Sequence, residues 1–160
     1  MSMKRCWAAL LILIGVGVST PAAASEPQAE SNEAAIREVI QAAEADCKSY
    51  QNGKLIMTKK AWPRVDLTRD GRPDVIVDAR EFRCTTAATL WCGTGGCPIT
   101  VITDGTPHEF LAKGWKIVDW SNLTVLLLEV HGSECGGTNL RKCVRAEVWS
   151  EGEFRSVGRE

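Results

Sequence analysis

Trp91–Pro98 reads WCGTGGCP and continues over 99–111 as ITVITDGTPHEFL. Two cysteines bracket Gly93-Thr94-Gly95-Gly96, and the residues that follow are rich in β-branched side chains, so the loop delivers the chain into a strand rather than a helix. Asp104-Gly105 supplies a two-residue turn, and His108 to Leu111 pairs back on Ile99 to Thr103. The stretch therefore predicts antiparallel β-structure with a glycine loop at its root.

Downstream, Trp115 to Trp120 alternates, and Leu123 to Val130 is the most hydrophobic part of the chain after the leader and predicts a central strand. Ser133 to Lys142 reads as a loop pinned by Cys135 and Cys143. Val144, Ala146 and Val148 then alternate with Arg145, Glu147 and Trp149, and Glu151-Gly152 turns the chain into a last strand, Phe154 to Val157.

Upstream, Asn52-Gly53 signals a turn before a short strand, Lys54 to Thr58, and Trp62 to Asp78 reads as two strands around a loop. Val75-Ile76-Val77 is continuously apolar, as expected of a strand covered on both faces, and Phe82 to Cys84 continues it after an irregularity. Ile36, Val39, Ile40, Ala43 and Cys47 recur at helical spacing opposite Glu33, Arg37, Glu38, Gln41 and Glu44, with Ser31 or Asn32 as cap. The predicted class is α+β: an N-terminal amphipathic helix packed on a largely antiparallel meandering sheet of about seven strands. Of five tryptophans, Trp62, Trp91, Trp115, Trp120 and Trp149, most are expected to fill the core with an indole N–H on a backbone acceptor, and one or two exposed ones would mark a surface to test.

The N-terminus sets the compartment. Lys4 and Arg5, the apolar run Ala8 to Val18 and the small-residue stretch Ala22-Ala23-Ala24 have the order of a cleaved signal peptide over 1–24. The apolar run is shorter than the roughly 20 residues that a membrane span needs. Ser25 to Ser31 reads as a disordered lead-in, and 32–160 as one domain. Removing Lys4 and Arg5 leaves 17 basic residues against 20 acidic, a net charge of −3 with no basic run, which speaks against nucleic-acid and anionic-membrane partners.

Of seven cysteines, Cys6 belongs to the leader. The six that remain allow 15 pairings, and an even number in an exported chain predicts a disulfide framework. Proximity favours Cys92 with Cys97 and Cys135 with Cys143, leaving Cys47 for Cys84.

Three stretches could carry chemistry. In DLTRDGRPD, Asp66, Thr68, Asp70 and Asp74 stand at positions 1, 3, 5 and 9 of a calcium loop, with Gly71 at 6 and the Arg72 carbonyl at 7. The nonapeptide resembles the DxNxDGxxD loops of FG-GAP-type repeats and, less closely, EF-hand and dockerin loops. It departs from them in Thr68, in the charges of Arg69 and Arg72, and in Val77 at position 12. The other reading is a plain Asp-Gly turn whose carboxylates bond the loop backbone. The Cys92–Cys97 segment can be a disulfide-locked turn, a redox pair or an anion-binding glycine loop, and with Cys135 and Cys143 a zinc site if the thiols are reduced. Four intervening residues, a following strand and export favour the locked turn, which presents Gly93, Thr94, Gly95 and Gly96 as a contact surface. His108 and His131 are the only histidines, and His131 with Ser133 and Glu134 can be written as a hydrolase set, though neither HExxH nor G-x-S-x-G occurs.

Together DLTRDGRPD, CGTGGC, the Cys-Gly-Gly-bearing loop closed by a later Cys, and the terminal Trp149-x-x-Gly152-x-Phe154 resemble small exported proteins of proteobacteria with no established activity. That resemblance implies export and disulfide pairing. The overall plan is also similar to periplasmic lysozyme inhibitors and small immunity proteins. The expectation is a periplasmic, non-enzymatic binding protein of an unidentified periplasmic protein or envelope component. A calcium-stabilised structural domain and a cell-envelope hydrolase are the alternatives.

Overall fold

A computed structural model describes residues 26–141 and 143–157, so the leader lies outside the described residues. One helix and ten strands follow in order. They are α1 (Glu26–Ser49), β1 (Leu55–Met57), β2 (Arg64–Val65), β3 (Asp74–Asp78), β4 (Phe82–Cys84), β5 (Cys97–Thr103), β6 (Thr106–Ala112), β7 (Gly114–Trp120), β8 (Leu123–Val130), β9 (Cys143–Ser150) and β10 (Glu153–Val157). The class is as expected, but the single seven-stranded sheet is replaced by three antiparallel sheets. A β1-β4 pair stands apart from β2-β3-β5-β6 and β10-β9-β8-β7.

These form layers. Val75, Val77 and Ile102 of the first four-stranded sheet pack under Ala35, Ile36 and Ala43 of α1. From the opposite face Ile76, Ile99 and Val101 meet Leu126, Leu128 and Val130 of the second. Val75-Ile76-Val77 is thus apolar throughout because a strand alternates its side chains between faces, and here both faces are dry. Strand β8 is central as predicted, with β7 and β9 on its flanks.

The helix begins earlier than its apolar stripe. Glu26 to Ser31 are helical, correcting the expected disordered lead-in, and Ser31 and Asn32 lie within the helix rather than capping it. Asn32 is buried and far from neutral in its role: its side chain accepts from Gly105 N at 2.7 Å and donates to Pro73 O at 3.4 Å. Long-range amide bonds of this kind hold the first turns of α1 against two loops, where sequence offers only a polar residue at a helix start.

All three disulfides form by proximity pairing: Cys47–Cys84, Cys92–Cys97 and Cys135–Cys143. They suit an oxidising compartment. Among the described residues no helix is long and apolar enough to cross a membrane. Gly53 serves packing rather than the turn. The left-handed positions are Gln51 and Asn52, at φ 55° each, while a Cβ at Gly53 would lie 2.5 Å from Cys84 Sγ and 2.7 Å from Cys47 O.

Trp91 packs edge-on against Phe82 at 5.7 Å, and the Trp115 indole donates to Asp78 Oδ2 at 2.8 Å, a carboxylate rather than a backbone acceptor. Trp149 joins His108, Phe110 and Phe154 in an aromatic cluster with ring centroids 5.0 to 5.6 Å apart. Trp120 is the exposed one, at 72%, and lies at the β7–β8 turn.

Candidate functional site

Strands β5 and β7 run between two ends of the molecule, and the candidate residues divide between them. At one end lie the disulfide loops. Gly93 N donates to Gly96 O at 2.9 Å and Gly96 N to Gly93 O at 3.1 Å, so two of the loop amides close the turn on themselves. That weakens an anion-binding reading, which needs those N–H groups free. Cys97 opens β5, so no helix dipole acts on its sulfur as it does in a redox pair. Gly96, at φ +118°, lies flat against the neighbouring strand: a Cβ there would sit 2.3 Å from the Ala112 carbonyl carbon.

The second disulfide loop comes to this same end. Asn139 Nδ2 donates to Thr94 O at 3.5 Å, and Lys113 Nζ donates to Asn139 Oδ1. Loops that are 45 residues apart in sequence therefore touch. Around the junction Leu111 is 55% exposed and Leu140 96% exposed, and Lys113, Glu129, Asn139, Leu140 and Arg141 line a recess of about 140 Å³. Just behind it, buried Asp78 accepts from Arg80 Nε at 2.9 Å and Nη2 at 2.5 Å, and Arg80 Nη1 reaches Lys113 O at 3.4 Å. Burial alone would push the Asp78 carboxyl up, but the Arg80 bonds and the Trp115 indole outweigh it and hold it below the ordinary value. The ion pair anchors the connection through which the chain passes from the first sheet to the second.

At the other end lies the Asp66–Asp74 loop. Asp66 Oδ2 accepts from Gly71 N at 3.0 Å, and Asp74 Oδ2 accepts from Leu67 N at 2.8 Å and Thr68 N at 3.0 Å. Asp70 accepts from Arg72 through its backbone N–H at 2.8 Å and its guanidinium at 2.6 Å. The Arg72 guanidinium also lies 3.3 Å from Asp104. Asp66 Oδ1, Thr68 Oγ1 and Asp74 Oδ1 are buried with no hydrogen-bond partner assigned. Three oxygens fall short of the six to eight that calcium takes, and Asp70, the position-5 ligand, is engaged by arginine. Among the described residues no group of three or more His, Cys, Asp or Glu is disposed to hold a metal. The motif thus fits a backbone-bonded turn better than a cation cage. Arg69, at φ 60°, leaves the loop to bond Thr124 Oγ1 at 3.0 Å, and with Asp66, Asp119 and Ile117 it lines an open recess of about 530 Å³.

The histidines have structural partners. His108 Nε2 lies 2.9 Å from Thr103 Oγ1 inside the aromatic cluster, where burial lowers its pKa. His131 Nδ1 lies 2.8 Å from Ser133 Oγ and also accepts from Ser133 N at 3.2 Å. The hydrolase pair is therefore adjacent, but as the cap of a short 3-10 turn, Gly132–Cys135, with Nδ1 shared with a backbone amide. Glu134, the third member of that set, lies 3.6 Å from Arg145.

Neither the convergence of the two disulfide loops nor Asn139 as their link was legible in sequence. Asn139 stands among polar loop residues, and only the β6–β7 connection at Lys113 brings its loop to Thr94. No protein-family model, no curated protein and no solved structure matches the chain.

Proposed function

We propose that the chain is an exported, non-enzymatic interaction protein of the periplasm or the medium, inhibitor-like or immunity-like, whose contact surface is the disulfide-locked end. The observation that carries this reading is the junction of the two loops through Thr94, Asn139 and Lys113, with Leu111 and Leu140 exposed beside it. Crosslinked loops lose little entropy on binding, and apolar side chains with a cationic rim suit a partner that offers an acidic edge around an apolar pocket. The cap role of His131 supports a non-catalytic reading, because a general base must be free to accept the nucleophile's proton.

A photo-crosslinking residue at Leu140 is expected to capture one stoichiometric species in the periplasm, and one at exposed Glu30 on α1 to capture none. Lys113→Ala with Leu140→Asp is expected to weaken binding of the captured species at least tenfold, about 1.4 kcal/mol. Equal crosslinking at both positions, or unchanged affinity, would count against this surface.

Calcium stabilisation is the second reading, and it rests on the buried oxygens Asp66 Oδ1, Thr68 Oγ1 and Asp74 Oδ1 gathered in the Asp66 loop. Burial pushes the Asp74 carboxyl above its ordinary value, against the opposing bonds from Thr68 N and Leu67 N. An asparagine keeps an acceptor for both amides and removes the buried charge. Without calcium at pH 7, Asp74→Asn is therefore expected to raise the melting temperature by about 2–4 °C, on the order of 1 kcal/mol. A group with a raised folded pKa costs stability as pH rises from 3.8 through that value, so the difference should vanish below about pH 4. A calcium-dependent melting temperature in the wild type, lost in this variant, would favour the metal. Calcium-independent melts would leave the plain turn.

A further inference from the structure

Among the described residues the second sheet has one face against the core and one face uncovered, and the uncovered face is apolar at its centre. Leu126, Leu128 and Val130 of β8 point inward and are buried, so Leu123, Val125 and Leu127 point outward. Pairing extends this side across neighbouring strands. Val118, Val125 and Val148 form one cross-strand row, and Leu127, Ala146 and Val157 form the next. Beside them Trp120 pairs with Leu123, and both are exposed. Strand β9 shows the same inversion from its other side. Glu147 is buried, salt-bridged to Arg145 at 2.5 Å and bonded by Ser156 at 2.7 Å, while Val144 on the outward side is exposed. A polar pair is thus kept inside a strand whose outer side chains are valine and alanine, the reverse of the pattern for a solvated face.

We infer that this outer face is the interface between two copies of the chain, packed sheet on sheet. Four strands about 4.8 Å apart and about seven residues long at about 3.3 Å each give a face of roughly 19 by 23 Å, and side-chain relief brings its accessible area to on the order of 600 Å². Two copies would bury about 1,200 Å², the lower bound of a stable interface, with the apolar rows at its centre. The charges support a second copy as the occupant. Lys116 and Arg155 stand on the rim with Glu129, Glu151 and Glu153, so the rim carries both signs and can pair across a two-fold axis. Its centre, Val125, Leu127, Ala146 and Val148, carries no charge and no large side chain, so two sheets can approach to the roughly 10 Å of face-to-face packing. Trp120 at the corner is the aromatic anchor such an interface favours.

The face adjoins the disulfide-locked end at Glu129, but Val148 at its centre and Trp120 at its far corner lie outside that recess, so each surface can be tested alone. The oxidised protein, measured by sedimentation equilibrium from about 1 to about 200 µM, is expected to pass from monomer to dimer, with tryptophan emission moving to the blue and acrylamide quenching falling as Trp120 is covered. Val148→Lys at the centre is expected to weaken dimerisation more than a hundredfold. Trp120→Ala, at a position too exposed to threaten folding, is expected to weaken it at least tenfold. Leu140→Asp at the opposite end is expected to leave it unchanged. A monomer at every concentration overturns the inference, as does a dimer that survives both Val148→Lys and Trp120→Ala, or one abolished by Leu140→Asp. A stable complex with a different protein that covers Trp120 while the isolated chain stays monomeric overturns it equally.

Discussion

Replacing Cys47 and Cys84 together with alanine is expected to lower stability by about 4 kcal/mol, a fall in melting temperature of roughly 12–16 °C. The bond closes a sequence separation of 37 residues, against 5 for Cys92–Cys97 and 8 for Cys135–Cys143, and the entropy withheld from the unfolded chain grows with the loop. On the same basis the two short bonds are expected to contribute about 2–3 kcal/mol each. The long bond also does something local: it ties the end of α1 to β4, which pairs only with β1, and Cys47 is fully buried against Gly53. Denaturant unfolding of the three double-alanine variants checks the ranking. Equal losses from the long bond and from Cys92–Cys97 would show that unfolded-chain entropy is not what the long bond controls.

The second large effect is expected at Asp78. Asp78→Ala leaves the Trp115 indole and the Arg80 guanidinium without their acceptor between the sheets, and should cost about 2–3 kcal/mol, less than for a fully buried pair because Arg80 is partly open to water. Its pH signature identifies the cause. The folded carboxyl is held below its ordinary 3.8, so its stabilisation is fully present above that pH and is lost as pH falls from there through the folded value. Asp74 has the opposite sign on the same strand. Measured between pH 2 and 7, Asp78→Asn should flatten the acid limb of the stability curve and Asp74→Asn should flatten the rise toward acid. The same pH dependence in both variants would contradict the two environments described for β3.

Legibility in the sequence followed the range of the forces involved. The hairpin at Asp104-Gly105, the both-faces strand Val75-Ile76-Val77 and the central strand Leu123 to Val130 were readable because turn chemistry and side-chain alternation are local. The first turns of α1 were not, because a polar, proline-bearing segment became helical under the distant bonds of Asn32. The division into three sheets was not either, since alternation reports that a strand has two faces and not which sheet it joins. In β9 it misleads outright: apolar Val144 lies outside and charged Glu147 inside, because Ser156 and Arg145 satisfy the carboxylate there. In the candidate sites the residue types of the Asp66 loop were legible, while the diversion of Asp70 to Arg72 and the meeting of Thr94 with Asn139 depended on side-chain direction and on distant loops.

The pairing of the cysteines bears on how the protein matures. The six bridged cysteines pair in their order along the chain, first with second, third with fourth and fifth with sixth, so no bridge encloses or straddles another. A chain emerging amino-terminus first into an oxidising space can close each bridge before the next pair arrives. An oxidant that joins thiols in order of appearance thus yields the native set directly, with no reshuffling through mixed-disulfide intermediates. Such an order asks for an oxidase alone, and once Cys84 has met Cys47 the end of α1 is tied to β4 before the later strands are complete.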